Sequence, residues 1–187
     1  MKTRKTVTHS YRILGLLALL AGVFLLSACP SAAIGTIDFE DPPLGTVYYV
    51  GDTFTDSGYT MTIAPFQWGN GQMTSNGFAR IDDQGLAGGS GQDINTNNVN
   101  LSFDLGDPVH KLTLNFGEYG GNLNIEINGA FVNFQNFTDI NGTTIGNVSV
   151  SVVNGSGNDI GQLTLDGNIE TFSIGGQELW LDDVALY

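Results

Sequence analysis

Chemistry in this chain is bounded first by what it lacks. Cys29 is the only cysteine, and His110 is the only histidine beyond residue 9. A single thiol excludes an internal disulfide and a cysteine-built zinc site. One histidine excludes a multi-histidine metal centre and leaves Ser-His-Asp chemistry a single base, with Ser102 near it in sequence only. No Gly-x-Ser-x-Gly elbow occurs, and no glycine-rich run ends in Gly-Lys-Ser/Thr. Glu118, Glu126, Glu170 and Glu178 are the candidate acids and bases. No two of them share a strand face at the close spacing a sandwich-type glycosidase needs, so an enzyme is not expected. Flat aromatics and short amides remain. Trp68 and Tyr119 sit beside Gly69, Gly71, Gly120 and Gly121, with Asn70, Asn76 and Asn122 close by. Such rings stack on sugar faces while the amides bond hydroxyls, whereas Trp180, inside an apolar strand, reads as core. Asp93-Ile94-Asn95-Thr96-Asn97-Asn98-Val99, with Asp104 eleven residues after Asp93, echoes a calcium loop. Strands flank it instead of helices, and Asp replaces the closing Glu, so chance in an Asn-rich stretch explains it better.

The thiol of Cys29 has a different use. Lys2, Arg4, Lys5 and Arg12 make a basic start, residues 13–26 an apolar stretch, and Leu26-Ser27-Ala28-Cys29 follows. A stretch of that length with small residues at its end reads as a secretory signal, too short for a membrane span. Leu-Ser-Ala-Cys resembles the lipobox of bacterial lipoproteins. That resemblance implies cleavage after residue 28, diacylation of Cys29 and a membrane anchor in the cell envelope. Pro30 stands where Asp would signal inner-membrane retention, which favours the outer membrane if the host is Gram-negative.

Taking a 28-residue signal from the 187-residue chain leaves 159 residues, enough for one domain with a real core. Only Arg80 and Lys111 remain as basic residues against all nineteen acidic ones, a formal charge of −17. A polyanion of that density repels nucleic acid and anionic headgroups and concentrates cations. Residues 29–35 form a short anchor linker, and 36–187 the domain.

Apolar and polar residues alternate with period two in Val99-Asn100-Leu101-Ser102-Phe103-Asp104-Leu105, Leu112-Thr113-Leu114-Asn115-Phe116 and Leu123-Asn124-Ile125-Glu126-Ile127. This is the pattern of antiparallel strands with one buried face. Asn128-Gly129, Asn154-Gly155 and Asp166-Gly167 are hairpin signals, because both central positions of such turns need positive φ. The expected fold is all-β, an antiparallel β-sandwich or jelly roll of about ten strands with little helix. Residues 67–98 are read as a long glycine-rich loop with one short strand at 78–81.

Ile37-Asp38-Phe39-Glu40-Asp41 opens the domain and Glu178-Leu179-Trp180-Leu181-Asp182-Asp183-Val184 closes it. These ends resemble the termini of jelly-roll carbohydrate-binding modules of the galactose-binding-like class. The resemblance implies a structural calcium held by acidic residues from both ends, Glu40 and Asp183 first, with Asp38 and Asp182 as neighbours. It makes a lipid-anchored glycan-binding module of the cell envelope the leading expectation. A structural or adhesive protein working through protein–protein contacts is the alternative, and a carboxylate-based hydrolase comes third.

Overall fold

The computed structural model describes residues 32–187. Cys29, the signal and the first linker residues lie outside the described residues. The described chain is almost entirely antiparallel β, in fourteen strands rather than about ten. Its only helical piece is one 3-10 turn, Phe137–Ile140.

Two long strands form the spine. β9 (Val109–Ile127) and β14 (Phe172–Leu186) run side by side, from Phe172 opposite Ile127 to Leu186 opposite Leu112. Register shifts at 176–179 and 182–185 bend the pair and divide it into two halves. The half holding residues 123–127 and 172–176 carries β10 (Ala130–Phe134) on one side. On the other lie β8 (Val99–Asp104), β4 (Tyr59–Gln67) and β3 (Thr53–Asp56). β5 (Met73–Thr74) folds back on the end of β4. The second half carries β13 (Asp159–Ile169), β12 (Val148–Val153) and β11 (Thr144–Ile145) beside β9. Beside β14 it carries β1 (Gly35–Ile37), and β7 (Asp93–Asn97) followed by β6 (Phe78–Asp82) and β2 (Val47–Tyr49).

Alternation decides what is buried. Leu112, Leu114 and Phe116, then Leu123, Ile125 and Ile127, point into one contiguous core with Ile174, Leu179 and Leu181. Stacking of Phe116 on Phe137 at 3.8 Å pins the 3-10 turn to that core.

Of the three expected hairpins, one forms as read. Asn128 and Gly129 take φ of 52° and 76°, and Ile127 pairs with Ala130. At Asn154-Gly155 the chain needs five residues, 154–158, to pass from β12 to β13. Asp166-Gly167 is a bulge inside β13, because the strand continues past it to pair Ile169 with Val109. The glycine-rich stretch is also more ordered than expected: it contains β5, β6 and the buried β7, leaving residues 83–92 as the loop.

Candidate functional site

The outward-facing residues of the first half line up in rows across the strands. One row runs Ala64, Asn100, Gly175, Asn124, Asn133, and its neighbour runs Thr62, Ser102, Ser173, Glu126, Phe131. These rows floor a cleft of about 430 Å³, whose sides include Pro65, Gln67 and Met73 towards β4 and Phe131 on β10. That volume lies in the range of small-ligand sites, roughly 300–1,000 Å³. Met73 is 55% exposed and Phe131 38%, so apolar surface stands open at the cleft's sides. Gly175 is required in the floor: a Cβ there would run into the Val99 carbonyl and the Asn100 side chain.

Among the described residues, hydrogen bonding in the floor is incomplete. Asn100 Nδ2 donates to the Pro65 carbonyl at 2.7 Å, but Asn100 Oδ1 has no partner. Asn124 Oδ1 accepts from Asn133 Nδ2 at 2.9 Å, but Asn124 Nδ2 has none, although the residue is 1% exposed. One acceptor and one donor thus lie unpaired beneath the floor beside Gly175. Buried groups left unmet in this way cost about 1–3 kcal/mol each.

A second, more open pocket of about 420 Å³ is lined by Trp68, Gly69, Asn70, Gln72 and Asn122. The turn after β4 builds it. Gly71 N–H donates to the Trp68 carbonyl at 2.8 Å, and Asn70 Oδ1 accepts from Gln72 N–H at 2.9 Å. Asn122 Oδ1 accepts from Gly69 N–H at 3.1 Å and docks the turn on β9. Asn133 Nδ2 joins the two pockets, donating to Asn122, Asn124 and the Gln67 carbonyl. Trp68 is half-buried, its ring edge-on to Phe66 at 5.2 Å.

Three of the five residues expected to bind ligand, Trp68, Asn70 and Asn122, therefore come together. Asn76 lines neither pocket; its N–H donates to Thr74 Oγ1. Tyr119 lies elsewhere, within β9 and away from Trp68, contrary to its expected place at a ligand site. Gly120 and Gly121 lie inside β9, where the backbone passes close to Glu178 and Gln135, and the strand never opens into a loop. Tyr119 instead packs edge-on to Trp180 at 5.2 Å and donates to the Leu86 carbonyl.

Trp180 is buried, at 7% exposure, but on the face opposite Leu179 and Leu181. Loop 83–92 closes over that face: the Leu86 carbonyl lies against Gly117, the cross-strand neighbour of Trp180. Trp180 Nε1, Asn95 Nδ2 and Asp93 Oδ1 have no partners there.

The four carboxylates expected to hold calcium do not share one shell. Asp182 and Asp183 are together, because the bulge with Asp183 at φ 48° turns both towards Gly89, where no side chain would fit. Glu40 faces Gly91, two residues further along the loop, and accepts from Gln92 N–H at 2.6 Å. Asp38 Oδ1 accepts from Ser57 Oγ at 3.5 Å and from the Glu40 N–H at 3.4 Å. Among the described residues no three His, Cys, Asp or Glu side chains converge as metal ligands. Burial and the neighbouring Asp183 and Asp93 push the Asp182 carboxyl up to about 7. Asp93 is also raised, by burial and then by Asp82 against an Ala87 N–H bond. The Asp93–Asp104 echo is an extended path through β7 and β8, with Asn98 in the left-handed turn (φ 57°), so its two ends stand far apart.

No protein-family model, curated protein or solved structure matches the chain. The cleft residues Asn100, Asn124, Ser173, Met73 and Phe131 went unread as a site in the sequence. Their signal was there in the polar members of each alternation, which are short amides and hydroxyls across β8, β9 and β14.

Proposed function

We propose that this protein is a non-catalytic, lipid-anchored module of the bacterial cell envelope that binds glycan. The observation that carries the reading is the cleft floor, where Asn100 Oδ1 and Asn124 Nδ2 are buried, unpaired and flanked by exposed Met73 and Phe131. Hydroxyls offer donor and acceptor in the same group, and pyranose rings carry apolar faces for the side walls. Glu126 is the one carboxylate lining the cleft, so a glycosidase pair has no second member there. A glycan-array screen of the whole protein in a non-sugar detergent tests the reading. Binding is expected, and Asn124→Ala should weaken it about tenfold, the loss of roughly one good hydrogen bond. Uniformly blank arrays would sink the proposal.

Calcium belongs to the proposal in a reduced form. Asp182 and Asp183, turned together towards Gly89, are the residues that would hold it, and the ion would supply positive charge to the Asp182 carboxylate, which burial disfavours. Millimolar calcium should raise the melting temperature by a few degrees, EDTA should reverse this, and Asp183→Ala should remove it. Anchoring rests on Cys29: Cys29→Ser should release the protein from membranes or leave it unprocessed.

The adhesive alternative has one observation of its own. β2, paired only to β6, ends its sheet with Val47 and Tyr49 exposed. Concentration-dependent self-association lost in Tyr49→Lys would favour it.

A further inference from the structure

The charge and shape of the cleft restrict which glycans fit and how they lie. Its floor bonds through neutral groups, Asn100, Ser102, Ser173 and Asn124, and its one ionised side chain is Glu126. No cation lines it. Arg80 is occupied by Asp82 at 2.7 Å, and Lys111 lies over the Tyr187 ring at 5.0 Å. A uronate, sialate, sulfate or phosphate group entering the cleft would lose water, meet no counter-charge and face a like charge. The cleft thus discriminates by repulsion as well as by fit.

Shape sets the second restriction. Asn100 and Asn124 lie on β8 and β9 with β14 between them, their backbones two interstrand steps or roughly 10 Å apart. From β4 to β10 the floor crosses four such steps, roughly 19 Å. One pyranose covers only part of that floor, whereas linked pyranoses lying across the strands follow its length. Open apolar sides at Met73 and Phe131 suit a chain that continues beyond the cleft, and Trp68 in the adjoining pocket offers the next ring-sized surface.

We propose that the cleft takes an internal stretch of an uncharged oligosaccharide, at least two linked pyranoses lying across the strands, and that Glu126 turns acidic glycans away. This rests on the glycan-binding reading.

Calorimetry on the whole protein in a non-sugar detergent tests it. The probes are neutral hexose oligomers of increasing length, gluco-, manno- and galacto-configured, and uronate oligomers of matched length. Affinity should rise at least about tenfold from one residue to the trimer. Uronate oligomers should not bind the wild type. Glu126→Gln should begin to bind them; Glu126 is exposed, so its melting temperature serves as the folding control. Monosaccharide binding as tight as that of the longest oligomer would overturn the extended-chain mode and leave glycan binding standing. Wild-type affinity for uronates equal to that for neutral oligomers, or no gain in Glu126→Gln, would overturn the charge filter. Binding by no glycan at all would overturn this inference together with the reading beneath it.

Discussion

The long strands β9 and β14 present an outward face twice, and the two faces meet opposite fates. Where residues 123–127 run beside 172–176, the face carries Asn124, Glu126, Ser173 and Gly175 and stays open as the cleft. Where 109–118 run beside 178–186, it carries Gly117, Trp180 and Asp182, and loop 83–92 closes over it. Both faces hold buried polar atoms without partners. Only the open one gives a ligand a way in. The difference shows that the binding surface is created by leaving a polar sheet face uncovered, and the rigidity of the paired strands keeps its unpaired groups from turning inward to each other.

The two tryptophans give the largest test of that contrast. Trp180→Ala removes a ring packed under the loop and should cost roughly 3–5 kcal/mol in urea denaturation. A loss below about 1 kcal/mol, the size of a surface change, would mean the second face is not truly closed. Next come two glutamates on one strand. Glu118 is 1% exposed, its Oε2 accepting from Phe137 N–H at 3.0 Å, and Oε1 has no partner. Burial, followed by Asp139 and Asp159 against that one hydrogen bond, pushes its carboxyl from 4.5 up to about 7. The folded state therefore holds a proton that the unfolded chain releases, and stability falls as pH rises between 4.5 and about 7. Glu118→Gln should reduce that slope, the remainder coming from Asp182, and leave the protein more stable than wild type at pH 8 relative to pH 5. Glu126→Gln, which removes one exposed negative charge, is the control; an identical flattening in both would break the distinction between the two sites. The smallest effect on stability is Trp68→Ala. Its edge contact with Phe66 is worth about 0.5–1.5 kcal/mol, so the domain should stay folded while glycan affinity falls. If melting drops as far as in Trp180→Ala, Trp68 belongs to the core and the second pocket loses its main surface.

Much of this was legible before any fold was known. Period-two alternation at 99–105, 112–116 and 123–127 assigned strands and inward residues correctly, because a half-buried strand must alternate. Asn128-Gly129 gave the β9–β10 register outright, since its two residues readily take the positive φ that the turn demands. Asp166-Gly167 carries the same local signal and became a bulge, because pairing of β13 with β9 continues through it. Trp68, Asn70 and Asn122 were found as a group; Tyr119 was misplaced because glycines that look like a loop in sequence are also what two closely approaching strands require.

The sequence by itself determined the all-β class, the inward side of most strands, the scarcity of cysteine and histidine, and the strongly negative charge. Tertiary structure alone decided which strands neighbour one another, and with that which outward faces lie open. Asn100 and Asn124 are 24 residues apart in sequence, and only their common neighbour Gly175, a further 51 residues along, sets them on one floor. Alternation is a local property of each strand, whereas a site built across five strands depends on contacts that no local pattern encodes.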